Sequence, residues 1–432
     1  MASLSTFHLP GESGSTPKRP CALLWDESFL WGVMALHALE AAGLPFDLIR
    51  SEDIRRGDLG RYRMLFVPGG WASNKSEALG ERGMEEIRRF VAGGGGYLGI
   101  CGGAGLAIQG GLDLLPIRRK PTAARVPSFS GRIRLACEGH RIWQDIRTPV
   151  FHAWWPSQFR ILDPSVRVLA RYGGPEADAM SSDIPVAEGE AGGWPALERR
   201  YGILLDPACL RGEPAVAEGP FGGGRVVLSL LHFDTPADVS GAIVLKNLWG
   251  YLASAGSVGP HAGTPDGEGR SGPDLPQAVH ELAAEIQAAV AELIDAGVKN
   301  SLWHWRNPLL LCWRRGVRGL EYATLAVMVA EIVRRLGSGG GGAGLPQALD
   351  PALLRAELTE IRRQVIPFVA KARRLLDREW RYLQGAPLSP LICDDEEIRG
   401  LRQELFARAM SHGGDFKRLI DAVDRLLYRL LR

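Results

Sequence analysis

"GGGGYLGICGGAGLA" fills residues 93–107, and a single thiol, Cys101, stands in its middle. Four glycines precede the apolar run, and Gly102, Gly103, Ala104 and Gly105 follow the cysteine. A cysteine that only fills space in a core needs no such company. A nucleophile does, because it must stand out of a sharp turn whose close contacts leave no room for neighbouring side chains. "YLGI" reads as a buried strand and "GGAGLAIQG" as the opening of a helix. Gly99-Ile100-Cys101-Gly102-Gly103 then has the G-x-C-x-G form of a nucleophile elbow, with Cys in the place of Ser. A helix N-terminus beneath the sulfur favours the thiolate.

Working outward, the chain before this turn alternates strand and helix. "CALLW" (21–25), "PFDLIR" (45–50) and "RMLFVPGG" (63–70) read as strands. "FLWGVMALHALEAAG" (29–43) and "SEALGERGMEEIRRFVAGGGG" (76–96) read as helices, each stopped by glycine. Single helices between strands imply a parallel sheet covered on both faces, with the loops after the strands along one edge, where sites lie. Past about residue 115 the rhythm changes. "SGRIRLACEG", "VRVLARYGG", "DIPVAEG" and "PAVAEGPFGGGRVVLSLLHF" read as strands with tight turns. The echo between "PVAEGEAGG" (185–193) and "AVAEGPFGGG" (215–224) marks either two similar hairpin strands or chance. Residues 173–213 read as an insertion, and "TPADVSGAIVLKNLWGYLA" (235–253) as a closing helix.

Residues 255–275 are Gly, Pro and small polar residues, the composition of a linker, and residues 1–19 read as a flexible lead-in without the apolar core of a signal peptide. From 276 to 432 the chain is rich in Leu, Ala, Arg and Glu and reads as an all-α bundle, with helices at about 276–297, 300–336, 350–384 and 394–431. "WHWRNPLLLCWRRGVR" (303–318) mixes Trp with Arg and reads as aromatic core with arginines at its rim.

A thiol nucleophile needs a base and a place for an oxyanion. "VPGG" (67–70) ends the strand beside "YLGI", so the N–H groups of Gly69, Gly70 and Gly102 are the expected oxyanion hole. His232 ends an apolar strand and is the candidate base; Asp234, two residues on, can fix its tautomer, although Asp before Thr-Pro also suits a helix cap. Cys101, His232 and Asp234 are the candidate triad.

The 432 residues carry 46% hydrophobic and 23% charged residues and a net charge of +2, the balance of a globular protein with no global attraction to nucleic acid. Six scattered cysteines form no CxxC pair and no zinc-ligand spacing, so reduced thiols in a cytoplasm, no metal and no cofactor are expected. No apolar run is long enough for a transmembrane segment.

"VPGG", "GICGG" and "HFD", in this order, resemble the class I glutamine amidotransferase-like superfamily. The resemblance covers residues 20–254 and implies a flavodoxin-like α/β domain with a parallel sheet. Within it, "GGGYLGICGG" (94–103), "VLARY" (168–172) and "GGGRVVLSLLH" (222–232) are similar to the amidotransferase-like N-terminal domain of biotin–protein ligases, without the ligase catalytic domain. Asp234 stands where the family has Glu, and "GGAGLA" follows Cys101 where glutaminases have Gly-His-Gln, so the motif does not point to glutamine. Two readings remain: a Cys-nucleophile hydrolase acting on an amide or acyl group of a small molecule, or a non-catalytic ligand-binding module whose C-terminal helices meet a protein partner.

Overall fold

The computed structural model describes residues 18–253, 275–337, 349–386, 388, 393–407 and 412–432. The lead-in up to residue 17, nearly all of the 255–275 linker and the glycine run at 338–346 lie outside them.

Chain order up to the elbow is β1 (Arg19–Leu24), α1 (Phe29–Ala41), β2 (Asp47–Ile49), α2 (Ser51–Arg55), β3 (Tyr62–Val67), α3 (Ala72–Ala92), β4 (Gly96–Ile100) and α4 (Gly102–Ala107). After it come β5 (Ile117–Arg119), β6 (Phe129–Cys137), β7 (Val150–Trp154), β8 (Phe159–Ile161), β9 (Arg167–Pro175), β10 (Met180–Ser181), β11 (Ile184–Pro185), α5 (Val186–Gly192), α6 (Trp194–Tyr201), β12 (Pro214–Phe221), β13 (Gly224–Ser229) and α7 (Val239–Ala253). One large sheet runs in the order β11-β10-β6-β9-β12-β13-β4-β3-β1-β2, with β7 beside β6. The segment β13-β4-β3-β1-β2 is parallel, and from β13 through β12 to the far edge every pairing is antiparallel.

The two halves differ because their strands do. β4 is buried along its whole length, as are Cys21–Leu24 of β1 and Met64–Val67 of β3, the near-continuous apolar runs of strands covered on both faces. β6 alternates, with Ile133 and Leu135 inward and Arg132 and Arg134 in solvent, which is the period of a half-exposed antiparallel strand. Residues 186–192 form a helix and not a strand, so the echo with 215–224 is chance. Gly189 of α5 lies against the Trp194 indole, where no side chain would fit, whereas Val216–Phe221 is paired to β13.

Beyond the linker follow α8 (Gln277–Lys299), β14 (Trp303–Asn307), β15 (Leu310–Trp313), α9 (Leu320–Gly337), α10 (Pro351–Leu383), α11 (Glu396–Phe406) and α12 (Gly414–Leu431). The all-α expectation needs one correction. Residues 303–313 are a hairpin, because Pro308 cannot donate within a helix and the Asn307 side chain accepts the N–H groups of Leu309 and Leu310 at 2.9 and 3.0 Å.

α1 is buried on two sides. Ala35 and Leu39 join the core of the sheet, while Phe29, Leu30, Val33, Met34 and Leu36 join one apolar cluster with residues of α8 to α12. Polar contacts follow the same seam: Glu331 of α9 takes His37 at 2.9 Å, and Lys417 of α12 takes Glu27 at 3.0 Å. No helix among the described residues is long and apolar enough to cross a membrane.

Candidate functional site

The parallel strands end along one edge, and the sequence places its small and titratable residues there. Cys101 leaves β4 with φ 51° and ψ −103°, a conformation L side chains rarely adopt. Its N–H donates to the Ser229 carbonyl at the end of β13 at 2.8 Å, and its own carbonyl accepts Gly105 N–H at 2.9 Å. The elbow is thus pinned between strand and helix. A side chain on Gly102 would run into the Gly70 carbonyl, and one on Gly103 into the Val67 carbonyl, so the turn and the 67–70 loop pack backbone to backbone. Gly102 opens α4, and its N–H has no partner within the helix. Gly69, Gly70 and Gly102 are brought together beside Cys101.

His232 lies just past β13, its N–H held by the His152 carbonyl at 2.8 Å. Its Nδ1 meets Asp234 Oδ1 at 3.0 Å, and both side chains are wholly buried. Burial lowers the affinity of the ring for a proton. The Asp234 charge and hydrogen bond, and after them the Cys101 thiol, outweigh it and hold the pKa up at about 10. Nε2 is buried and forms no hydrogen bond among the described residues, so nothing else competes for the nitrogen opposite Asp234. The helix-cap role falls to Asp238 instead: its Oδ1 accepts Gly241 N–H at 2.8 Å, and its Oδ2 meets His152 Nδ1 at 2.7 Å.

Two residues that sequence reasoning missed shape this edge. Trp31 of α1 lies over His232, ring centroids 4.7 Å apart, and closes the third side of Gly69, where a Cβ would come within 2.9 Å of the indole. Lys75 of α3 is fully buried, with Nζ 2.5 Å from Ser28 Oγ and 3.3 Å from the Asp26 carbonyl. Burial depresses its pKa to about 7 against the pull of Glu27 and Asp26. A Cβ on Gly70 would lie 3.6 Å from that Nζ and closer still to the Glu27 carbonyl, so Lys75 and the 26–28 turn stand behind the glycine loop. Its signal in the sequence is register: Lys75 shares the buried stripe of α3 with Leu79, Ile87 and Val91, a cation where the period demands an apolar residue. Its neighbour Asn74, within the sequon Asn74-Lys75-Ser76, is buried and bonded to Glu27 Oε2 at 3.2 Å.

The other thiols differ from Cys101 in their surroundings. Burial raises the pKa of Cys21, Cys209 and Cys312, and lifts Cys137 to about 11. Among the described residues no cluster of three or more His, Cys, Asp or Glu could hold a metal ion.

The chain is 32% identical over 171 residues to the phosphoribosylformylglycinamidine synthase subunit PurQ of Symbiobacterium thermophilum, an overlap of 35% of this chain and 69% of that protein. Among solved structures it is similar to a GMP synthase protein of Thermoplasma acidophilum, at 13% identity and a TM-score of 0.36 over 54% of this chain and 94% of that one. It is similar to a glutamine amidotransferase at 19% identity and a TM-score of 0.36, over 54% of this chain and 99% of that one. No family model matches the chain. On the extent of its likeness to PurQ, the chain belongs to the class I glutamine amidotransferase-like family.

Proposed function

We propose that the chain is a cysteine-nucleophile hydrolase of the amidotransferase type, acting in the cytoplasm on an amide or acyl group of a small molecule through Cys101, His232 and Asp234. The observation that carries this reading is the left-handed backbone at Cys101, held against a histidine whose other nitrogen is fixed by a buried carboxylate. Strain of this kind costs about 1–3 kcal/mol and persists where the surroundings over-determine it. In this reading the Cys101 thiolate attacks the carbonyl carbon. The oxyanion is taken by N–H groups of Gly102 and of Gly69 or Gly70. The His232 imidazolium gives its proton to the departing amine as the C–N bond breaks, leaving a thioester. Neutral His232 then takes a proton from water, whose oxygen attacks the thioester, and the acid leaves as the thiolate and imidazolium are restored. The finer likeness to the N-terminal domain of biotin–protein ligases belongs to this proposal too, and brings no ligase chemistry with it.

A screen of small amides and acyl compounds, glutamine included, tests it. Cys101→Ala should abolish turnover with the melting temperature nearly unchanged, and His232→Ala should cost nearly as much, since a triad loses function as a unit. One observation favours the second reading: His232 and Asp234 are entirely enclosed, with Trp31 over the ring. If the wild type hydrolyses nothing in the screen, yet binds a small ligand equally well with and without the thiol, the non-catalytic module is correct.

A further inference from the structure

Away from Cys101, a cleft of about 710 Å³ opens where α2 meets the end of α12. Its volume is that of a small-molecule site and far exceeds what a single inorganic ion fills. Five arginines line it, Arg50 and Arg56 from one wall and Arg425, Arg429 and Arg432 from α12, against the carboxylates of Glu52 and Asp53.

The carboxylates are already engaged. Glu52 and Asp53 both hold Arg56, and Asp53 also accepts the Arg50 backbone N–H at 2.9 Å. Arg50 is divided between Asp26 at 3.0 Å and Asp424 at 2.9 Å, and Arg429 pairs with Glu357 at 2.9 Å. Two guanidiniums are left over. Among the described residues Arg425 forms no ion pair or hydrogen bond, and Arg432 has only the Tyr428 hydroxyl at 3.3 Å. A guanidinium cannot shed its proton to relieve this, so the excess charge in the cleft is permanent.

We infer that this cleft binds a small molecule carrying a diphosphate. Phosphate oxygens match the guanidinium fork, which explains arginine in place of lysine at every basic position. Arg425 and Arg432 lie seven residues apart on one face of α12, a rise of about 10 Å. A single phosphate cannot reach both ends of that span, whereas two linked phosphates with their side-chain partners can. Tyr428 and Leu349 supply an apolar wall for the organic part, with the Arg50 guanidinium 4.2 Å from the Tyr428 ring centre.

The test is calorimetric titration of the full chain with pyrophosphate and with ADP at fixed ionic strength. Saturable binding at one site is expected, with the Arg425→Gln/Arg432→Gln double variant raising Kd at least tenfold. Both positions are exposed, so the fold should survive, and an unchanged melting curve checks this. Arg200→Gln on α6, an exposed arginine outside the cleft, should leave Kd as it is. ADP binding at least tenfold tighter than pyrophosphate would identify a nucleotide as the occupant; equal affinity would show that the diphosphate alone is read, and either result supports the site. Absence of saturable heat with both probes, or the same Kd in the double variant, would overturn it.

Discussion

The pair His232–Asp234 makes a claim that can be read in the pH dependence of stability. The ring binds its proton up to about pH 10 in the folded protein, above its ordinary value of 6.5. A base raised in this way contributes stability that is complete below about pH 6.5 and is lost as pH rises through about 10. Asp234→Asn removes the carboxylate that outweighs burial. The variant should be less stable than the wild type by about 3–5 kcal/mol near pH 6, the cost of breaking a buried pair. The gap should narrow toward pH 10. Lys75 titrates in the opposite sense, since its depressed pKa of about 7 makes stability rise with pH above neutrality. It is present in both proteins and cancels in the difference. Urea midpoints of the two proteins at pH 6 and pH 9.5 measure it, and a gap that does not change with pH would mean that His232 is neutral in the fold.

At the scale of elements, the join between β4 and α4 depends on two backbones touching. Gly102→Ala would drive a methyl group into the Gly70 carbonyl, and either the elbow or the 67–70 loop must move. Overpacking of this kind costs about 1–3 kcal/mol. Gly250→Ala on α7 is the contrast: nothing lies within 4 Å of the added carbon, so the change should be neutral or stabilising by up to about 1 kcal/mol. Thermal melts of the two variants should therefore move apart, and equal melting would mean that the elbow yields without cost. The same contacts explain what was legible in the sequence. The parallel strands announce themselves as short apolar runs closed by glycine, and His232, Asp234, Gly69 and Gly70 were found because each sits at a strand end. The hairpin at 303–313 was hidden because Trp303, Leu309 and Leu311 also fit helical spacing, and only the turn at Asn307-Pro308 breaks it. α5 was hidden because Gly189 is small for the sake of Trp194, a neighbour in space that no local pattern announces. Trp31 and Lys75 escaped for a related reason: their roles come from what α1 and α3 are packed against, not from their own stretches of chain.

For the whole molecule the decisive element is α1, which the sheet and the C-terminal helices share. Phe29, Leu30, Val33, Met34 and Leu36 are buried in the cluster that also contains Val290, Leu325, Met328, Phe368 and Leu419. At about 2 kcal/mol per large apolar side chain, leaving those five in water costs on the order of 10 kcal/mol. Whole domains are stable by only about 5–15 kcal/mol. Residues 1–256 expressed alone should therefore aggregate or melt far below the full chain, although every strand of the large sheet lies within them. The loss should also reach Cys101. Lys417 of α12 holds Glu27, and the Glu27 carbonyl packs on Gly70, so removing the helices loosens the turn behind the glycine loop. Supplying residues 275–432 as a second chain should restore both the melt and the rate at which iodoacetamide labels Cys101. A shortened protein that melts like the full chain and labels at the same rate would show that the outer face of α1 needs no cover and that the helices serve only their own ligands.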